Sequence, residues 1–173
     1  PMSHIPDKPA LEGLEQKWDA AWQQSGTYLF DRARAAEVGR PGIYSVDTPP
    51  PTASGSLHIG HVFSYTHTDI KVRFERMRGK TVFYPMGWDD NGLPTERRVQ
   101  NYYGVRCDPS LPYDPDFTPP AKPDRKRRVP TSRMHSIELC HQLTQTVEQA
   151  FHNLSRKLGR SADRDNHLYA TVS

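Results

Sequence analysis

The sequence lacks long apolar runs and has few cysteines, and each shortage excludes a class of protein. No stretch approaches the ~20 consecutive apolar residues of a membrane-spanning helix, so no membrane partner is expected. The two cysteines among 173 residues, Cys107 and Cys140, cannot build a disulfide framework. They predict free thiols in a reducing compartment. No signal peptide is recognisable either, and a cytoplasmic location is the expectation.

Apolar residues are also scarce overall, at 35% of the chain, and the mean hydropathy is −0.80. A chain of 173 residues is long enough for one domain with a real core, but this composition predicts a small core and long solvated segments. The formal net charge is only +3, so the pI of about 9.0 is weak support for a nucleic-acid partner.

The pattern of helix, strand and loop signals predicts four segments. Residues 1–42 are expected to form an N-terminal helix, over 9–25, followed by a solvated connector. Residues 43–103 carry a βαβ unit, residues 104–133 form an irregular proline-rich basic loop, and residues 134–173 form a long helix and a final strand.

Within the second segment, a β-prone run at 43–48 ends at three consecutive prolines, which cannot donate to a strand ladder. A helical pattern follows over 58–78, and a second buried strand is predicted over 81–86. Strand, helix and strand in this order indicate parallel pairing, with ligands bound beyond the carboxyl ends of the strands. The loops 49–61 and 87–92 both lie at that edge.

The first of these loops combines features of a phosphate-binding site. Gly55 and Gly60 allow close approach of the backbone, and the following helix offers unpaired N–H groups at its start. His58 and His61 add donors that can follow charge as it builds on phosphorus. Spacing alone leaves two alternatives open, namely that the histidines bind a metal or that they merely cap the helix.

Five stretches together carry a resemblance to a known family: PPPTASGSLHIGH at 49–61, RMRGK at 76–80, VFYPMGWDDNGLPTE at 82–96, VPTSR at 129–133 and IELC at 137–140. They resemble the class I aminoacyl-tRNA synthetases, in the form found in valyl-tRNA synthetases. The resemblance extends from residue 9 to the end of the chain and matches the N-terminal part of that enzyme.

The resemblance implies an α/β chain that forms the first half of a Rossmann-type nucleotide-binding fold. It also implies activation of valine with ATP and its accompanying Mg²⁺, without a tightly bound protein metal, and transfer of valine to tRNA(Val) in the full-length parent. By position, His58 and His61 would stabilise the phosphates, Gly60 would lie under the adenine, and Thr52 would border the ATP site.

The same resemblance assigns the amino-acid pocket. Asp89 would bind the valine ammonium group, and Pro50 and Thr52 would border the pocket for the apolar side chain. The residues themselves support Asp89, since a carboxylate in a glycine-bearing loop suits an ammonium partner. The alternative is a turn-forming aspartate. Trp88 is expected to pack rather than to stack on the nucleotide.

Seven of the sixteen prolines lie between residues 105 and 130, which predicts a segment without regular structure. Its basic run could contact the acceptor-end phosphates of a tRNA. The alternative is a solvated loop. The residues of the run are Lys122, Arg125, Lys126, Arg127 and Arg128. A long helix is predicted over 133–158, and the final strand, over 168–172, is expected to pair with the strand at 43–48.

The family's later elements, including its Lys-Met-Ser-Lys-Ser loop, have no counterpart in this sequence, which predicts half an adenylation site. Polar residues also stand at four positions where the family usually has apolar ones: Ser136, Ser155, Arg160 and Arg164. These replacements suggest the hypothesis of an engineered or relict fragment whose exposed apolar surface was lowered. The alternative function is a folded, catalytically inactive nucleotide-binding or structural module. Self-association through an exposed sheet edge is a further expectation.

Overall fold

The computed structural model describes residues 12–55, 57–163 and 169–170, and it is an α/β structure in which every strand pair of these residues is parallel. The elements, in chain order, are α1 (Leu14–Ser25), α2 (Arg32–Gly42), β1 (Ile43–Ser45), α3 (Ile59–Met77), β2 (Thr81–Phe83), β3 (Gly87–Trp88), α4 (Leu93–Tyr103), β4 (Val105–Cys107), β5 (Val129–Thr131), α5 (Arg133–Lys157) and β6 (Tyr169–Ala170).

The described residues fall into two compact units. The first unit contains residues 12–47, 60–85 and 152–163, and the second unit contains 48–55 with 57–59, 86–151 and 169–170. The chain therefore passes from one unit to the other several times, instead of folding as consecutive segments. Each unit has its own buried apolar cluster.

In the first unit, α1 forms where the spacing of leucine and tryptophan predicted a helix. Trp18 and Trp22 lie one turn apart, with ring centroids 6.0 Å apart, and Trp22 also contacts the Tyr28 ring at 5.3 Å. Gly26 ends the helix in the left-handed conformation, at φ 61°, which glycine adopts without a Cβ penalty. The predicted start at residues 9–11 lies outside the described residues.

The expected connector before β1 is instead helix α2, so that prediction is wrong. Asp31 caps the helix, because its side chain accepts a hydrogen bond from the Arg34 amide at 2.9 Å. The helix is kinked at Gly39, at φ 63°, and Pro41 lies in its last turn. Its surface is mostly solvated, as expected, because only Ala35 is buried.

The predicted βαβ unit is confirmed in the first unit. Strands β1 and β2 pair in parallel with Tyr44 opposite Val82, and α3 lies between them in sequence. Gly79, at φ 85°, follows the helix. Val72, Val82, Tyr84 and Ala162 form the buried cluster of this unit.

Polar residues also hold the first unit together. Asp69 of α3 accepts hydrogen bonds from the Ser161 amide at 2.7 Å, the Ser161 hydroxyl at 2.6 Å and Arg73 Nε at 2.7 Å. Arg76 donates to the Ser161 carbonyl at 2.8 Å and to its hydroxyl at 2.7 Å. The turn after α5 is therefore fixed to α3 by charged and neutral hydrogen bonds.

The hypothesis that polar replacements lower the exposed apolar surface is wrong for two of its four positions. Ser155 and Arg160 are each only 5% exposed. Arg160 Nε donates to the Tyr84 hydroxyl at 2.9 Å, and its guanidinium lies 4.2 Å from the centroid of the Tyr65 ring. Arg160 is thus a buried cation held by aromatic partners. Arg164 lies outside the described residues.

In the second unit, α5 forms as predicted, and the apolar faces of α4 and α5 pack together with β4. The buried cluster consists of Val99, Val105, Leu139 and Leu143. α4 ends at Gly104 in the left-handed conformation, at φ 68°. α5 continues into the first unit for its last turns, from residue 152.

The prediction that residues 104–133 contain no regular structure is wrong at both ends. β4 and β5 pair in parallel, with Arg106 opposite Pro130. Six of the seven prolines lie between these strands, and Pro130 occupies a position in a two-stranded pair, where one missing N–H donor is tolerated. Residues 108–128 contain no helix or strand.

The final strand also pairs differently from the prediction. β6 pairs in parallel with β3, Gly87 opposite Tyr169 and Trp88 opposite Ala170, and not with the strand that begins at residue 43. Residues 168, 171 and 172 of the predicted strand lie outside the described residues. Among the helices that the structure describes, none combines the length and apolarity that a bilayer crossing requires.

Candidate functional site

The loop after β1 and the loop after β3 are joined by backbone pairing in the second unit. Thr52 and Asp89 form an isolated parallel bridge. The Ala53 amide donates to the Asp89 carbonyl at 2.9 Å, and the Asp89 amide donates to the Pro51 carbonyl at 3.0 Å. Two of the three residues predicted to bind the amino acid, Thr52 and Asp89, are therefore neighbours, and the third, Pro50, lies two residues before Thr52.

The side chains at this bridge remain accessible. Thr52 is exposed, and Pro50 and Asp89 are half-buried, whereas Ala53 is only 2% exposed. The Ser54 hydroxyl donates to the Thr52 hydroxyl at 3.1 Å. The bridge thus fixes the backbone, while Thr52 stays exposed and Asp89 stays half-buried.

Arg98 of α4 supports this segment from a second direction. Its Nη1 atom donates to the Ala53 carbonyl at 2.8 Å, and the side chain is half-buried. No sequence signal distinguished it from Arg97, since the contact depends on a loop 45 residues earlier.

Trp88 packs as predicted. It is 4% exposed, and its ring meets that of Phe151 edge-on with centroids 4.8 Å apart. This contact anchors the strand that leads directly into Asp89. The position of the carboxylate is therefore set by a buried aromatic pair as well as by backbone pairing.

The histidines of the first loop lie at the start of α3. His58 precedes the helix, is exposed and belongs to the second unit, whereas Gly60 and His61 lie in the first turn and belong to the first unit. The His61 ring is half-buried and stacks on Tyr65, one turn later, at 6.2 Å and 18°. Ser56 lies outside the described residues.

The basic run divides into two groups. Lys122, Arg125, Lys126 and Arg127 are exposed, in agreement with a solvated or anion-binding loop. Arg128 differs, because it donates to the Gln100 side-chain carbonyl at 3.0 Å and to that of Asn101 at 2.6 Å. Arg128 therefore attaches the end of the loop to α4.

A cavity of about 670 Å³ in the second unit is lined by residues of α4, β4 and α5. Glu148 also lines this cavity, and its pKa is raised to about 7. Burial of the carboxyl is the largest cause, and a hydrogen bond with Asp90 and the charge of Asp90 also raise the pKa. Among the described residues, the buried hydroxyls of Thr95 and Ser136, which also line the cavity, have no hydrogen-bond partner. Ser136 is half-buried, so it is not a solvated replacement either.

The donor groups of the described residues do not form a metal site. Over residues 12–55, 57–163 and 169–170, no three or more His, Cys, Asp or Glu side chains are grouped so that they could hold a metal ion. The arrangement at the bridge instead offers one carboxylate, one hydroxyl and backbone groups. These groups suit an organic ligand with an ammonium group.

Comparison with known proteins gives consistent results. A family profile described as tRNA synthetases class I (I, L, M and V) matches residues 17–113. The valine–tRNA ligase of Thermobifida fusca (strain YX) is 64% identical over 169 residues, which is 98% of this chain and 19% of that protein. The valine–tRNA ligase of Leifsonia xyli subsp. xyli (strain CTCB07) is 66% identical over 174 residues, covering 97% of this chain and 20% of that protein.

Among solved structures, the chain is similar to the LeuRS of Agrobacterium radiobacter K84 agnB2, in its ternary complex with tRNA and LeuAMS. The TM-score is 0.59 at 23% identity, over 92% of this chain and 15% of that one. This likeness supports the first half of a Rossmann-type fold. The chain spans about a fifth of the length of the curated relatives it matches. Since the family profile covers more than half of the chain, the chain belongs to the class I tRNA synthetases of the I, L, M and V group.

Proposed function

We propose that this chain carries half of the adenylation site of a valine–tRNA ligase and activates valine with ATP. The pairing of Thr52 with Asp89 is the observation that carries the proposal, because it joins the two loops that the resemblance assigns to the amino acid. The names of the relatives, at 60–66% identity, favour valine.

In this proposal the Asp89 carboxylate binds the valine ammonium group, and Pro50 and Thr52 border the space for the isopropyl group. Arg98 acts as a positioning residue, because its bond to the Ala53 carbonyl holds the segment that contains Thr52. A short apolar boundary next to a fixed carboxylate favours a small amino acid with a free amino group.

The reaction joins a carboxylate oxygen of valine to the α-phosphorus of ATP, and the bond from that phosphorus to the bridging oxygen breaks and releases pyrophosphate. Negative charge shifts onto the phosphate oxygens in the transition state. His58 and His61 would donate hydrogen bonds to those oxygens, and Gly60 would let the adenine approach the helix. ATP arrives with its Mg²⁺ as part of the substrate.

A second step belongs to the proposal for the longer proteins, where valine passes from the adenylate to tRNA(Val). The exposed cations of the loop, Lys122, Arg125, Lys126 and Arg127, are candidates for contact with RNA phosphates. Arg128 is a weaker candidate, since both of its terminal nitrogens already bind amides of α4.

Valine-dependent exchange of pyrophosphate into ATP tests the proposal. The chain should catalyse exchange with valine, and His58→Ala/His61→Ala should lower the rate about 100-fold or more. His141→Ala, at an exposed position of α5, is the matched control and should retain the wild-type rate. Exchange no faster in the wild type than in the double variant would leave a nucleotide-binding or structural module as the function.

A further inference from the structure

A second cleft of the second unit lies on the side of α4 that does not line the Glu148 cavity. Its volume is about 560 Å³. The residues that line it are Pro94, Arg97, Arg98, Asn101, Tyr102 and Arg125. Arg125 comes from the basic loop, and the others come from α4. The cleft therefore combines residues of α4 with a residue of the basic loop.

The cleft is positively charged and holds no carboxylate. Arg97 and Arg125 are exposed and make no ion pair within the described part of the chain. Glu96, which precedes Arg97, lines the other cavity instead. Arg128 adds a further charge nearby, because its partners Gln100 and Asn101 are neutral amides. Several cations are therefore left without counter-charge on one side of α4.

An aromatic ring lies among these cations. Tyr102 is 59% exposed and lines the cleft, and its ring is supported edge-on by Tyr103 with centroids 4.9 Å apart. An exposed ring held by a second ring offers a flat apolar face at a fixed position. Arginine forks beside such a face match a nucleotide, whose phosphate binds guanidinium groups while its base stacks.

We propose that this cleft binds a single-stranded RNA segment, with phosphates on Arg97 and Arg125 and one base stacked on Tyr102. A free base face is available only where the strand is unpaired, so a duplex should bind less tightly. The site extends the RNA contact suggested above from the basic loop to α4. It rests on the proposed function for the identity of the RNA, a tRNA strand end.

Fluorescence anisotropy with a labelled eight-nucleotide RNA tests the site in the whole chain. Arg97→Gln/Arg125→Gln should weaken binding and reduce the slope of log K against log salt by about 1.4, since each single-strand phosphate contact contributes about 0.7. Tyr102→Leu should weaken binding about tenfold without changing that slope, because the stacking ring is lost. Tyr102→Phe keeps the ring and should bind the RNA as tightly as the wild type.

Arg32→Gln/Arg34→Gln is the charge-matched control, because it removes two exposed arginines of α2 in the first unit. The proposal is overturned if this control weakens binding as much as Arg97→Gln/Arg125→Gln, or if Tyr102→Leu binds like the wild type. Equal binding of the RNA duplex, of polyglutamate or of vesicles containing phosphatidylglycerol would also overturn it. RNA binding without valine-dependent exchange would support the cleft while contradicting the adenylation proposal, so the two failures are distinguishable.

Discussion

The buried polar groups at the turn after α5, in the first unit, differ in their hydrogen bonding from those beside the large cavity of the second unit. In the first unit, the Ser161 side chain is bound by both Asp69 and Arg76, and buried Arg160 is held by Tyr84 and Tyr65. In the second unit, the hydroxyls of Thr95 and Ser136 are buried without a partner among the described residues, next to a cavity of about 670 Å³. The same kind of residue therefore stabilises one region and weakens the other.

The difference shows that a buried polar side chain stabilises the fold only where it has a hydrogen-bond partner. A hydrogen bond contributes about 0.5–1.5 kcal/mol to stability, whereas an unpaired buried group costs about 1–3 kcal/mol. Arg160 and Ser136 illustrate the contrast. Arg160 belongs to a network with two tyrosines, whereas the hydroxyl of Ser136 lies beside a cavity without a partner among the described residues.

The largest expected effect comes from breaking the network of the first unit. Asp69→Ala removes the acceptor for the Ser161 amide, the Ser161 hydroxyl and Arg73 Nε at once. It should lower the free energy of unfolding by about 3 kcal/mol, because a partly buried cation and an amide lose their partner. Urea denaturation measures the change.

Asp116→Ala, at an exposed loop position, is the control and should change stability by less than about 0.5 kcal/mol. A loss for Asp69→Ala no larger than this would mean that the network contributes little. The contrast between the two units would then disappear.

A smaller effect of opposite sign is expected from filling the space in the second unit. Ser136→Phe removes an unpaired hydroxyl and buries an aromatic ring, so the free energy of unfolding should rise by about 1–3 kcal/mol. Ser136→Ala removes the unpaired hydroxyl without adding a ring, so it should raise the free energy of unfolding by less than Ser136→Phe does. Thermal unfolding with both variants would contradict this account if the Phe variant were less stable than the Ala variant.

The smallest effect concerns the pH dependence of the same cavity. The pKa of Glu148 is raised to about 7 from an ordinary 4.5, so the folded state holds this proton more tightly than the unfolded chain. The contribution of Glu148 to the free energy of unfolding is therefore fully present below pH 4.5, and it is lost as the pH rises through 7. Glu148→Gln should flatten the stability profile over this range, by about 1 kcal/mol after discounting for solvent exposure.

Unfolding free energies measured from pH 4 to 8 for Glu148→Gln and for the exposed control Glu15→Gln decide this point. Identical profiles for the two variants would show that Glu148 is not perturbed by its surroundings.

The sequence predicted the elements whose signals are local. The helix ends at Gly26 and Gly79 follow from the conformational freedom of glycine, and β1 and β2 follow from short β-prone runs on either side of a helical pattern. The proximity of the loops that contain Thr52 and Asp89 was also predictable, because parallel strands bring their carboxyl ends to one edge.

The errors concern pairing and burial, which depend on residues distant in sequence. Val105 and Val129 pair across 23 intervening residues, and the many prolines between them concealed both strands. Arg98 and Arg160 carry no local sign that one binds a loop carbonyl and the other lies among tyrosines. Helix α2 contains Gly39 and Pro41, which disfavour a helix locally, and its start depends on the cap formed by Asp31.

Binding of a sulfamoyl analogue of valyl-adenylate tests the central claim, that the bridge between Thr52 and Asp89 forms part of a valine-activating site. Isothermal titration calorimetry should show one analogue bound per chain, with Asp89→Asn weakening it at least about tenfold, because a charged hydrogen bond to the ammonium group is lost. Asp116→Asn should bind like the wild type. Equal affinity of the wild type and Asp89→Asn, or tighter binding of the leucyl analogue than of the valyl analogue, would contradict the account.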